Sequence, residues 1–479
     1  MSRINTNVPA VIAQRHLSTS QSALAASLER LSSGLRINRG ADDPAGLIVS
    51  ERLRSEISAV GQAIDNSQRA INVISTTEGA LDEVSRLLTD IQALVVEAAN
   101  RGAISDDEVA ANQLQIDSAI DSIARIANTT TFAGRKLLDG SLDYVTSGVN
   151  SSQLADVQVL RANFGTRDFV PVDLVVSQSA QHATLGFPAT GLSANGGVSV
   201  DIFGPQGIIT LSFPGSATAV AIANSINAET DATGVQAVAS GNPPGSAGVR
   251  IESLAYGSNA FVQVHALNGG QFAVYDENGN VVERDEGRDA AGTINGAATV
   301  GDGLKLSLHS RLLDVEIILD QGFGTGSSSF AITSGGSLFQ LGPQVNSNLQ
   351  ENIGVRAVHP NKLGNAIIGF LSDLQSGQAY DLRSGKFKEA SETIDEVITQ
   401  VAVLRGRLGA FERNSLQTNI SALQITMENL TSSESLIRDT DFAQQTSELT
   451  RSQILVQAGT SILTIANAQN QNVLRLLGG

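Results

Sequence analysis

The chain runs to 479 residues, 41% hydrophobic but only 4% aromatic, with a formal net charge of −17. The acidic balance argues against nucleic acid, which is held mainly by Lys and Arg on phosphates, and against an anionic membrane surface. Without Cys there are no disulfides, thiolate metal sites or thiol nucleophiles. A Trp-free stock of Leu, Ile, Val and Ala suits helix packing better than a large ligand pocket, so no cofactor is expected.

The opening Met1–Pro9 has no basic stretch followed by an apolar run, so it is not a Sec-type signal peptide, though uncleaved export signals stay open. No window is apolar enough to span a bilayer, so membrane insertion is not expected. Residues 1 to about 140 and from about 380 onward are helix-like in texture. The stretch between about 141 and 355 carries most of the Gly and Pro and reads as β. The expected class is α+β, with a long coiled-coil-like bundle from both termini around a β-rich middle.

In chain order, Leu17, Leu24, Leu28, Leu31 and Leu35 form a first apolar series, and Gly34 and Gly40 bracket a break. Asp43 before Pro44 reads as a helix N-cap with proline at the first helical position. A longer series follows: Leu53, Ile57, Val60, Ile64, Ile71, Ile74, Leu81, Val84, Leu88, Ile91 and Val95, with Ser67 and Glu78 as polar interruptions. Alternating steps of four and three predict a coiled-coil-like seam on a helix roughly 60 to 75 Å long. Ser105 and Glu108 make a capping box before a third helix bearing Ile116, Ile120, Ile123 and Ile126.

In the middle, Val198–Ile202 and Ile208–Phe213 flank Gly204-Pro-Gln-Gly207 as a hairpin. Phe272–Tyr275 and Val281–Val282 suggest another around Asn278-Gly279. Leu304–Leu308 and Val315–Leu319 are further strands, and Val220, Ile222, Ala223 and Ile226 mark a short helix. The loop Asp276-Glu-Asn278-Gly-Asn280 is read as a turn, not a calcium loop, and Gly322-Phe-Gly324-Thr-Gly326 as a flexible link. His16, His182, His265, His309 and His359 are scattered, and none falls in an HExxH pattern.

Near the C-terminus, Ile394, Val397, Val401, Leu404, Leu408 and Phe411 form one seam. Leu416, Ile420, Leu423, Met427 and Leu430 continue it after a phase slip. Asp439-Thr-Asp441 offers a cap, and Phe442, Leu449, Val456, Leu463 and Leu477 recur in sevens, with Asn470 the polar member. Terminal stripes this long and narrow exceed what one partner helix covers, so adjoining copies are expected to bury them.

Leu31-Ser-Ser-Gly34-Leu-Arg-Ile-Asn38, Ala41-Asp-Asp-Pro-Ala-Gly-Leu47 and Ser50-Glu51 resemble the N-terminal signature of the bacterial flagellin family. Glu428-Asn-Leu-Thr431, Ser433-Glu-Ser435, Ile437-Arg-Asp439, Gln453–Gly459 and Asn472–Leu477 resemble its C-terminal partner. Ala217–Ala239 is similar to a short motif found in flagellin inserts. The resemblance implies a filament subunit exported by the flagellar type III route to the cell exterior, and no catalytic activity. It implies inner-tube core helices at 1–42 and 439–479, rod segments at 43–140 and 356–438, and an outer insertion at 141–355.

Leu24, Leu28, Leu31, Leu35, Leu449, Val456 and Leu463 are then expected to pack between subunits. Arg30, Arg36, Asp42, Asp43 and Glu51 are expected to make polar contacts around the turn. An export chaperone is expected to cover the segment bearing Phe442, Leu449, Val456, Leu463 and Leu477, with cap and hook–filament junction proteins as further partners. The rival readings are a hook–filament junction protein and an enzyme displayed on the insertion. In flagellins that vertebrate Toll-like receptors detect, basic residues occupy part of the segment matching Thr89–Val96, whereas this chain has Asp90 and Gln92. Purified monomer is therefore expected to be a poor agonist in a receptor reporter assay, and potent activation would refute this.

Overall fold

The computed structural model describes residues 7–165, 167–188, 197–239, 248–267, 272–276, 279–310 and 312–477, with side chains described as far as Ala468. The class is α+β, as expected. The chain divides into two compact units: Met1–Arg69, Gln340–Val345 and Arg413–Gly479 make one, and Ala70–Phe339 with Asn346–Glu412 make the other.

Helix α1 (Val8–Ser33) begins where the Asn7 side chain accepts the Ala10 N–H at 3.0 Å, with Pro9 in the first turn, where its missing N–H costs nothing. It ends at Gly34, whose φ of 73° suits glycine and lets its N–H reach the Arg30 carbonyl. Helix α2 (Pro44–Ala99) has 56 residues, about 84 Å at 1.5 Å per residue. It starts at the expected Asp43 cap and runs on to Ala99, so it is longer than the 60 to 75 Å expected of the apolar stripe.

The seam of α2 differs from the large-residue series. Its fully covered positions are Ser50, Val60, Ala63, Ser67, Ala70, Ile74, Thr77, Leu81, Val84, Leu88, Ile91, Val95 and Ala98, so the seam passes through Thr77 and not Glu78. Helix α3 (Asp106–Thr129) carries the anticipated capping box: Ser105 N–H donates to Glu108 Oε2 at 2.7 Å, and Glu108 N–H donates to Ser105 Oγ at 3.3 Å. The Ser105 N–H, helped by the Ser105 hydroxyl donating to the same Oε2 at 2.9 Å, holds the Glu108 carboxyl below its usual range.

In the second unit, α6 (Phe387–Phe411) presents Ala390, Ile394, Val397, Val401, Leu404 and Leu408, all buried, as are Val109, Ile116, Ile120 and Ile123 of α3. Buried Gln113 holds the loop after residue 370 at two points: it donates to the Leu374 carbonyl and accepts the Leu382 N–H, each at 2.8 Å. Beyond Phe411 the backbone is π-helical over Glu412–Gln417 before α7 (Thr418–Arg438). The wider turn accounts for the phase slip between Phe411 and Leu416.

The β material of this unit has two cores. In one, strands Tyr144–Ser147, Val170–Gln178, Ala291–Ile294 and Gly326–Gly335 form a sheet with Ala297–Ala298. It shares a core with the sheet of Leu154–Ala162, Val300–Asp302, Lys305–His309 and Leu313–Leu319. Both strands expected over Leu304–Leu308 and Val315–Leu319 are present in this sheet, and they pair with Lys305 opposite Ile318. The stretch read as a flexible link is instead a hydrogen-bonded turn, with the Gly322 N–H on Asp320 Oδ1 at 2.9 Å, and Gly326 already opens a strand.

The other core holds the predicted hairpin, Val198–Phe203 against Ile208–Phe213, with Phe203 facing Ile208. Helix α4 (Ala219–Asn227) buries Ile222, Ala223 and Ile226 against it. A single helical turn, α5 (Thr230–Thr233), follows. The second predicted hairpin reduces to an isolated bridge between Tyr275 and Val281, and Asn278 lies outside the described residues.

Asn227 forms a two-point clamp on strand Val235–Ala239: it donates to the Ala237 carbonyl at 2.8 Å and accepts the Ala237 N–H at 2.7 Å. Replacing Asn227 with Ala should destabilise this core by about 1–3 kcal/mol, because both strand groups lose their partner. Hydrogen exchange at the Ala237 amide should accelerate, and unchanged protection would show that the clamp is dispensable.

Candidate assembly surfaces

Within the first unit, α1 pairs antiparallel with α8 (Phe442–Leu477). Asp441 caps α8, accepting the N–H groups of Ala443 and Gln444 at 2.8 and 3.1 Å. The Asn7 side chain donates to the Ala466 carbonyl at 3.1 Å, and at the other end Gln445 Nε2 donates to Ser27 Oγ at 2.9 Å.

The residues turned toward the partner helix step by four and three: Ala13, Leu17, Ser20, Leu24, Ser27 and Leu31 on α1, and Gln445, Leu449, Ser452, Val456, Gly459, Leu463 and Ala466 on α8. Large aliphatic residues alternate with small or polar ones. The helices can therefore approach closely, and a Cβ on Gly459 would sit 3.2 Å from Leu17 Cδ1. The cost is a lean core: among the described residues of these helices, Ala13 and Ala466 are the only buried apolar side chains.

Leu24, Leu31, Leu449, Val456 and Leu463 are half-buried in this intramolecular seam, so much of their apolar surface is already covered within one chain. Leu28 lies off the seam, which uses Ser27 instead, and is 50% exposed. Phe442 is also off it, at 58% exposed, because the seam on α8 begins at Gln445. The side chains of Asn470 and Leu477 lie outside those described. Sequence reading missed the small and polar seam members Gln445, Ser452 and Gly459. Their regular offset of three or four from the large residues was the available signal. Val8, Val11 and Ile12 on α1 and Ile454, Leu455, Ile462 and Ile465 on α8 stand exposed, and Val8, Ile12, Leu455 and Ile462 among them form an uncovered apolar row along one groove of the pair.

A second antiparallel pair joins the start of α2 to α7 through Val60, Ala63 and Leu423, with Ile64, Met427 and Leu430 against them. The two pairs meet at the turn after Gly34. Leu35 bridges to Asp439, Arg36 N–H donates to the Arg438 carbonyl at 2.7 Å, and Thr440 N–H donates to the Gly34 carbonyl at 2.9 Å. The Arg36 guanidinium adds a bond to the Ile437 carbonyl, with Nε at 3.2 Å.

Asp42 accepts the N–H groups of Arg39 and Asn38 at 2.8 and 3.1 Å. These bonds, with a smaller effect from the Arg30 charge, hold its carboxyl below the usual range. Glu51 is likewise lowered, chiefly by Arg438, which donates to it at 2.7 Å. Asp43 Oδ1 accepts the Gly46 N–H at 2.9 Å and caps α2. Arg36, Asp42, Asp43 and Glu51 thus make side-chain contacts inside the chain, and Arg30 acts on Asp42 through its charge. Arg438 is the partner that sequence reading quoted but did not single out.

Residues 4–143 match the bacterial flagellin N-terminal helical region and residues 391–477 its C-terminal helical region. Residues 192–252 match the flagellin hook IN motif. A flagellin of Salmonella muenchen is 30% identical, with 99% of each chain covered. The chain belongs to the flagellin family.

Flagellin E of Vibrio cholerae is 28% identical over 99% of this chain and 98% of its own. Flagellin A of Helicobacter pylori is also 28% identical, with 99% of each chain covered. This flagellin is a structural subunit of the bacterial flagellar filament and serves motility. Among its described residues, no helix is long and apolar enough to cross a membrane.

The turn explains one glycine. A Cβ on Gly46 would lie 2.4 Å from Asp43 Oδ2 and 2.7 Å from Cδ1 of buried Ile37, whereas one on Gly61 meets nothing within 4 Å. Gly46→Ala should therefore destabilise the turn by about 1–3 kcal/mol, while Gly61→Ala should stabilise α2 by about 0.5–1 kcal/mol. Urea unfolding of monomer followed by circular dichroism measures both, and equal effects would refute the steric argument.

Proposed function

We propose that copies of this flagellin pack on one another through the faces left open on the α1/α8 pair. The supporting observation is the uncovered apolar row beside a seam too lean to hold two long helices by itself. Ordering a helix costs roughly 1–2 kcal/mol of backbone entropy per residue, so a pair with so little burial gains from neighbours that cover its outer face. Contacts that repeat without closing generate a helical polymer.

In this reading Leu24, Leu28, Leu31, Leu35, Leu449, Val456 and Leu463 use their remaining apolar surface between subunits, and Ile454, Leu455, Ile462 and Ile465 join them. Residues 1–42 and 439–479 form the inner tube, 43–140 and 356–438 the rod, and 141–355 an outer display region without a catalytic step. The chain leaves the cell by type III export and then meets the cap and junction proteins. A chaperone covers the stretch from Asp441 to Gly479 before export, since Phe442, Ile454, Leu455 and Ile462 would otherwise face water together.

Ile462 and Leu463 separate the two uses of α8. Ile462 is 56% exposed and Leu463 faces α1. Ile462→Glu should leave monomer helicity unchanged, permit export and raise the critical concentration for filaments about tenfold or more, because the charge enters an apolar contact. Leu463→Glu should permit export yet abolish filaments, and should also reduce monomer helicity. Circular dichroism and electron microscopy read the two, and normal filaments from either variant would overturn the packing scheme.

A further inference from the structure

We infer that Met427 is an oxidation site whose conversion to the sulfoxide loosens helix α7 from α2. The chain has two methionines, Met1 and Met427, and no Cys or Trp. Beyond the first residue, the Met427 thioether is therefore the one sulfur that a peroxide can meet. Its side chain is half-buried, so it is neither sealed in a core nor free of neighbours.

Its position decides what oxidation does. Polar ties fix the α2/α7 pair near both ends of α7. The Asn419 side chain donates to Ser67 Oγ at 3.2 Å, and Arg438 donates to Glu51 Oε1 at 2.7 Å. Between those ties the helices meet through Leu423, Met427 and Leu430 on α7 and Val60, Ala63 and Ile64 on α2. Among the described residues, Leu423 is the one fully covered side chain of α7. Its half-buried neighbours, Met427 included, therefore carry a large share of the contact.

The chemistry is oxygen transfer from hydrogen peroxide. A sulfur lone pair attacks one peroxide oxygen, the O–O bond breaks and an S–O bond forms. The departing oxygen takes the proton left on the transferred one and leaves as water. Sulfur loses two electrons and the peroxide gains them. A thioether packs as an apolar group and accepts hydrogen bonds only weakly, whereas the sulfoxide is polar. The side chains of Val60, Ala63 and Ile64 offer that oxygen no donor, and a polar group without one is disfavoured in such a contact. Turning out to water removes the side chain from the seam. Either way the middle of α7 loses a contact while the ties at Asn419 and Arg438 remain. The consequence is faster local opening of the helix and not loss of the whole unit.

The test treats the free full-length subunit with hydrogen peroxide, so the outcome does not depend on how copies pack. Peptide mass spectrometry reads the added oxygen, and hydrogen exchange is followed for amides between Leu423 and Thr431. Oxidised wild type should exchange about tenfold faster there than untreated protein. Reduction by methionine sulfoxide reductase should restore protection. Met427→Leu keeps volume and apolarity, and should match untreated wild type before and after peroxide. Met427→Gln places a polar group at the same point and should exchange faster without any oxidant. Met1 is kept in both variants, so its oxidation is common to all samples. Unchanged exchange once Met427 carries its oxygen, or equal acceleration in peroxide-treated Met427→Leu, overturns the inference. So does a Met427 that stays unmodified where Met1 is oxidised.

Discussion

The pairing of α1 with α8 sets the terms for the rest of the molecule. Its seam alternates Leu17, Leu24 and Leu31 with Ser20 and Ser27 on one side, and Leu449, Val456 and Leu463 with Ser452 and Gly459 on the other. Small members bring the backbones close, and the buried Ser27–Gln445 hydrogen bond fixes register, because sliding would leave both groups without a partner. What the seam does not supply is much buried apolar surface. A pair fixed in register but poorly covered is specific without being strongly held, which suits a segment that completes its packing on neighbouring subunits.

The helices of the second unit follow the opposite rule. Leu81, Val84, Leu88 and Ile91 of α2 are fully covered, as are Ile116, Ile120 and Ile123 of α3 and Ile394 and Val397 of α6. Here most steps of the three–four stripe carry branched aliphatics, and the polar member Gln113 is satisfied within the chain. The same periodicity thus serves two purposes, and the size of the alternate seam residue separates them. Burial at roughly 25 cal/mol per Å² stabilises the second unit from its own sequence, and the terminal pair has far less of it.

This contrast also decides how much could be read before the structure was known. The Asp43–Pro44 cap, the Ser105–Glu108 box and the Gly204–Gly207 turn are local signals and appear where expected, whereas the stripes of large residues only partly coincide with the buried seams. The slip between Phe411 and Leu416 was visible as a broken period, and its cause is the π-helical turn. Ser27, Gln445, Ser452 and Gly459 escaped because an apolar scan passes over small and polar side chains. So did strand Gly326–Gly335, whose Ser-rich sequence pairs with Val170–Gln178 far away in the chain. Long-range pairing leaves little local trace, since a strand's partner supplies half of what makes it a strand.

The turn between the helix pairs shows why both ends of the chain carry recognisable motifs. Three of its ties are backbone contacts between segments some four hundred residues apart: Leu35 to Asp439, Arg36 to Arg438 and Thr440 to Gly34. Backbone bonds are indifferent to side-chain identity, so they cannot by themselves explain the motifs. The side chains that aim them can. Gly34 supplies the left-handed turn, Asp42 and Asp43 hold the amides of Asn38, Arg39 and Gly46, and Glu51 fixes Arg438. All but the Glu51–Arg438 pair are short-range on their own stretch of chain, yet together they deliver two distant segments to one register. The Ser27–Gln445 bond inside the lean terminal pair and these ties at the turn thus enforce one register from two places.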